Sequence, residues 1–206
     1  MTKSDLSIIR VNSSSGNTGM TGIDSVYKKE NGIILIEIKL NSVAQLFNSF
    51  DPAPFHEKEI DFAAEQYIVN IIKDFPQKTR FKIIIYLPQE LATGDQAGTI
   101  IPAIHNHFHY KMMVSEWKFR SHFRYGRSTL LIGLTVLMIA LIARQLVSSM
   151  DDHIIVQLFA DALLIIGWAA MWEPITVLFY ELWPIIQMKK IYMKLSTMEV
   201  AIFPTP

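Results

Sequence analysis

Cysteine is missing from all 206 residues, which excludes disulfides, thiolate catalysis and cysteine-based zinc sites together. Charge of one sign is missing too: Lys+Arg and Asp+Glu each number 19, so the formal net charge is zero. Without a basic field there is nothing to draw in nucleic acid, and that partner class is set aside. The first eleven residues lack a basic stretch followed by an apolar run, so they do not read as a secretory leader. The soluble parts are expected to stay on the side of synthesis. No nucleophile motif and no glycine-rich phosphate cradle is present, so no catalytic residue and no cofactor is predicted.

What is present is apolar length. Half of the residues are apolar, and they concentrate in 127–147 and 154–179. Each run holds roughly 20 residues, enough to cross a hydrocarbon core ~30 Å thick. Between them lies an acidic turn, Met150-Asp151-Asp152-His153. Two membrane-spanning helices in a hairpin follow, covering 126–182. Lys118, Arg120, Arg124 and Arg127 precede the first run, and Lys189, Lys190 and Lys194 follow the second, whereas the turn has neither Lys nor Arg. By the positive-inside rule both termini are cytosolic. Arg124, Arg127, Trp172 and Trp183 are the expected membrane-interface residues.

The remainder predicts a small α+β domain over 23–125. Residues 1–22 read as a flexible polar segment, with 6–11 able to form a short strand. Asn31-Gly32 is a strong hairpin signal, since both residues tolerate positive φ. In the strand after it Ile34, Ile36, Ile38 and Leu40 alternate with Glu37 and Lys39. A proline-stiffened connection leads to Asp61, which suits the N-cap of a helix carrying Ile68, Ile71 and Ile72. A strand at 81–87 and a helix from Thr99 to about Arg124 complete the half. Beyond the hairpin, Trp183-Pro184 is expected to break the helix, and 183–206 to form a basic helix and a strand that can return to the sheet. The fold class is therefore an α+β cytosolic domain combined with a two-helix transmembrane hairpin.

Arg144, Asp161 and Glu173 fall within or close to the hydrocarbon, where a lone charge costs ~2.5–3.5 kcal/mol on insertion scales. A turn at 150–153 brings Arg144 to Asp161, Arg127 to Glu173 and Gly133 to Gly167. The lipid bilayer is one partner, and self-association or a membrane protein partner the other. His105 and His109 share a helix face at i,i+4 and are the candidate metal ligands, with His107 pointing elsewhere. No carboxylate at helical spacing completes a set, so no metal centre is predicted. Asp51, His56, Glu57, Glu59 and Asp61 place acids and a base in one loop, against the alternative that Asp51 and Asp61 cap turns and the next helix.

Two resemblances attach to these motifs. Met171-Trp172-Glu173-Pro174-Ile175-Thr176 is similar to the pore motif of calcium uniporters, in which an Asp lies three residues before the Glu; Ala170 stands there here. It implies a pore role for Glu173. Phe47-Asn48-Ser49-Phe50-Asp51-Pro52-Ala53-Pro54-Phe55-His56-Glu57-Lys58 and Gly167-Trp168-Ala169-Ala170-Met171-Trp172-Glu173-Pro174 resemble a family of uncharacterised bacterial two-span membrane proteins. That resemblance implies a bacterial inner membrane location and brings no activity. The functional expectation is a membrane scaffold or partner-binding protein. Its alternatives are an oligomeric cation channel using Glu173 and a metal-dependent hydrolase using the Asp51 to Asp61 loop.

Overall fold

The computed structural model describes residues 27–54, 58–94, 97–149 and 153–205. The expected N-terminal strand at 6–11, the flexible segment 1–22, His56, Glu57 and most of the acidic turn lie outside the described residues.

A four-stranded mixed sheet forms the base of the molecule. The hairpin β1 (Lys29–Glu30) and β2 (Ile33–Lys39) turns at Asn31 and Gly32, with φ of 51° and 77°. Helix α1 (Phe62–Lys73) carries the chain across to β3 (Arg80–Leu87), which runs parallel to β2. Asp61 caps α1 by accepting from the Ala63 N–H at 2.9 Å, satisfying a donor that the first helical turn leaves free. After the single turn α2 (Gln89–Ala92), the chain enters the helical part and returns only at β4 (Glu199–Pro204), parallel to β3. The strand order is β1-β2-β3-β4. The whole helical excursion is thus an insertion between two neighbouring strands of one sheet.

Period-two alternation divides the sheet's faces. Ile34, Ile36, Ile83, Ile85 and Leu87 point into the core and meet Ile68, Val69 and Ile72 of α1 together with Ile100, Ile104 and Phe108. Phe108 is completely buried, and its truncation to alanine would cost about 3–5 kcal/mol. The opposite face carries ordered polar contacts: Lys28 and Tyr86 both donate to Glu37, at 3.0 and 2.9 Å.

Helix α3 (Ala97–Ser148) is one uninterrupted helix of 52 residues, about 78 Å long at ~1.5 Å per residue. The predicted soluble helix and the first apolar run are therefore a single rod. The return path is α4 (Ile154–Ala169), α5 (Trp172–Thr176), a π-turn at Val177–Glu181 and α6 (Leu182–Leu195). Both α3 and the 154–195 path are long and apolar enough to cross a membrane.

The expected break at Trp183-Pro184 is displaced. Pro184 sits in the first turn of α6, where a missing N–H is tolerated. The irregularities lie upstream, each about one turn before a proline. Pro174 cannot donate to the Ala170 carbonyl, and the chain turns at Ala170 and Met171. Pro184 cannot donate to the Tyr180 carbonyl, and just before it the helix widens so that the Leu182 N–H reaches the Val177 carbonyl.

Candidate functional site

Two polar constellations stand out, one inside the sheet domain and one on the apolar helices. In the first, Glu65 falls on the buried side of α1, at helical spacing from Ile68 and Ile72, and is only 4% exposed. Burial opposes its charge, but donors outweigh that. His107 Nε2 donates to Oε2 at 3.2 Å, and the Tyr192 hydroxyl donates to Oε1 at 2.9 Å. The Lys111 ammonium stands 3.3 Å from Oε2. Together they hold the Glu65 carboxyl down at about 2. The tautomer of His107 follows, because its Nδ1 accepts the Ile60 N–H at 3.1 Å and leaves Nε2 to carry the proton. Tyr192 is pushed well above the usual phenol range by burial and then by Glu65. This network joins α1, α3 and α6, so the helices that enter and leave the insertion are fastened to the same carboxylate. Both histidine nitrogens and both carboxylate oxygens are occupied, which suits a tie between elements rather than chemistry on a ligand.

The predicted histidine pair separates. His105 Nε2 donates to the Met198 carbonyl at 2.8 Å, fixing α3 to the approach to β4, whereas His109 is exposed at the rim of an open cleft with Asn48, Asp51 and Glu59. Among the described residues no group of three or more His, Asp or Glu side chains could hold a metal ion. In the loop, Asp51 is held below the usual carboxylate range by the Glu59 N–H and then the Ala53 N–H, which it accepts at 2.7 and 2.9 Å. Asp61 is the helix cap. Both acids therefore act as turn builders.

On the apolar helices the expected Arg144–Asp161 contact is present, with Nη2 donating to Oδ1 at 3.3 Å. The expected Arg127–Glu173 pair is not: the Tyr125 hydroxyl donates to Glu173 at 3.2 Å instead, and Arg127 and Arg124 are exposed on α3. The two glycines do not face each other either. A Cβ on Gly133 would stand 2.7 Å from the Ala170 carbonyl oxygen, and one on Gly167 would meet Ala140 Cβ at 2.8 Å and Leu137 Cδ1 at 3.0 Å. Relative to the simple turn argument, the register has slipped by about one helical turn. Each glycine packs against the other helix's backbone or small side chains, and Gly133 lies against the carbonyl that Pro174 has deprived of its donor. Trp172 and Trp183 are 75% and 63% exposed.

Sequence reasoning missed the Glu65 network and the Tyr125–Glu173 bond. A carboxylate placed among Ile68, Val69 and Ile72 was the available signal for the first. No signal paired it with Tyr192, 127 positions away.

At the near end of the rod, Glu116 accepts from Arg120 at 3.0 Å and is also ion-paired with Lys189 of α6. These two cations hold Glu116 below the usual carboxylate range. The Lys189 contact joins α3 to α6 where the apolar lengths begin.

No family model, no curated protein and no solved structure matches this chain.

Proposed function

We propose that the chain is an integral membrane scaffold or partner-binding protein. Its small α+β domain is cytosolic, and a transmembrane helical hairpin fixes it to the bacterial inner membrane with both termini cytosolic. One observation carries the reading. The outward surface of α3 beyond Thr129 and of α4 is mostly apolar, with Ile132, Ile139, Ile154, Leu158, Phe159 and Ile165 each between 61% and 81% exposed. A continuous apolar surface of that kind has a low free energy only in lipid or under another protein. Cationic residues at the domain end of both helices and their absence from 145–188 support the orientation. The resemblance in 47–58 and 167–174 agrees with this location and adds no activity. The domain would serve as a rigid platform, since α3 passes from sheet to bilayer without a joint.

The test uses the absence of cysteine. The full chain, expressed in bacterial cells, is expected to resist alkaline extraction. Ser149→Cys should react with an impermeant maleimide from outside the cell, and Lys190→Cys only after lysis. Release into the alkaline supernatant, or the reverse labelling, would overturn the reading.

A cation channel is the second reading, favoured by one observation: Glu173 is exposed on the outer surface with Tyr125 as its bonded neighbour, where copies around a ring could line a path. Cation flux in liposomes that disappears in Glu173→Gln, with fold and assembly intact, would establish it in place of the scaffold.

A further inference from the structure

The Arg144–Asp161 contact is incompletely satisfied for a pair in an apolar band. It is a single bond of 3.3 Å, with the two side chains 40% and 63% exposed. Arg144 Nε is buried and has no hydrogen-bond partner. Asp161 Oδ2 makes no hydrogen bond among the described residues. Exposed apolar side chains flank the pair along α4, with Ile154, Ile155 and Leu158 towards the turn and Ile165 and Trp168 on the other side. If the hairpin lies in a bilayer, part of an arginine and most of an aspartate face lipid, and such groups are stable there only with further polar partners.

Other polar side chains mark the same flank. On α4, Gln157 lies one turn before Asp161, and both are exposed; on α3, Ser148 lies one turn after Arg144 and is exposed. Side chains able to hydrogen-bond between membrane helices are thus collected on one flank of the hairpin, beside the seam sealed by Ala140 and Gly167. The opposite flank of α4, with Ile155, Phe159 and Ile166, has none.

We infer that this flank is where a second copy of the chain docks in the membrane, Arg144 of each copy bonding Asp161 of the other. The occupant follows from the charge pattern. Arg144 and Asp161 are bonded to each other and so sit at one depth, on different helices. A two-fold axis along the membrane normal keeps every residue at its depth and sets α3 of one copy against α4 of the other. It therefore brings each positive group to a negative one, and no other partner is guaranteed to present both signs at that spacing. Such an interface is self-complementary and closes at two copies. The inference rests on the transmembrane reading above.

The experiment uses the full chain reconstituted in vesicles, with alkaline resistance of each variant scored first so that loss of insertion is read separately from loss of pairing. Fluorescence energy transfer between labelled copies, followed through lipid dilution, is expected to report a dimer. Arg144→Gln and Asp161→Asn should each weaken it about tenfold, the scale of an interhelical hydrogen bond in a membrane. The exchange variant, Arg144→Asp with Asp161→Arg, should restore it, because the inverted pair is still complementary. Gln157→Cys should form a disulfide-linked dimer on oxidation, and Phe159→Cys on the opposite flank should not. The proposal fails if the inserted wild type is monomeric, if both cysteines cross-link equally, if the single variants pair like wild type, or if Gln157→Cys, oxidised in intact cells, cross-links only to a different protein. Failure of the wild type to resist alkaline extraction overturns the transmembrane reading instead.

Discussion

The Glu65 carboxylate shows how a buried charge becomes pH-dependent stability. Burial raises its proton affinity, and hydrogen bonds from His107 and Tyr192 with the nearby Lys111 ammonium lower it further than burial raises it, from 4.5 to about 2. Because the folded value is the depressed one, the stabilisation is fully present above pH 4.5. It is lost as pH falls through about 2. Unfolding of the detergent-solubilised protein, followed by circular dichroism, should therefore show stability falling through that window. Glu65→Gln should flatten this dependence and, at neutral pH, cost about 1–3 kcal/mol, since the buried His107 and Tyr192 donors lose their charged acceptor. Tyr192→Phe removes one neutral donor and should cost less, about 0.5–1.5 kcal/mol, with the pH dependence retained. Equal losses from the two variants would mean that packing at Tyr192, not charge at Glu65, holds the three helices together.

At the scale of the element, the helix pair is set by backbone contact. Gly133 faces the Ala170 carbonyl so closely that any Cβ must move one helix. Gly133→Val should then push α3 and α4 apart and destabilise the pair by about 1–3 kcal/mol, the usual cost of overpacking. Thermal unfolding in a mild detergent would measure it, and a loss of Arg144–Asp161 proximity would accompany it. Gly98, with nothing within 4 Å of its would-be Cβ, is the matched control and should tolerate alanine. Local chemistry was readable in the sequence at this scale: Asn31-Gly32 as the turn, Asp61 as the cap, and the two apolar runs as helices. Register was not. Counting outward from the turn assumes straight helices and a fixed turn geometry, and Gly167, reached before either proline, already meets Leu137 and Ala140 in place of Gly133. Glu173 likewise bonds Tyr125 and not the expected Arg127, two positions further along α3. For Arg144 and Asp161, closest to the turn, the expected contact is present.

For the whole molecule the decisive feature is that β4 completes a sheet begun more than a hundred residues earlier. Its pairing with β3 places Val200 beside Ile83 and Ile202 beside Ile85, so the sheet forms fully only after the helical insertion has been made. Parallel pairing of this kind was invisible to periodicity, which identifies a strand but not its neighbour. The insertion's two stems are held together independently of its apolar length. Glu116 joins Lys189, and Lys111 and Tyr192 share Glu65. Replacing residues 127–177 by a short Gly-Ser loop should therefore leave α3 and α6 paired and the sheet closed. The product is expected to stay in the supernatant after alkaline extraction and to unfold cooperatively. Deleting 197–206 instead, with the hairpin intact, should leave the protein in the membrane and open the β3 edge, a site for association with other strands. A non-cooperative loop-replacement variant would show that the bilayer-facing helices, and not the stem contacts, hold the domain in its folded form.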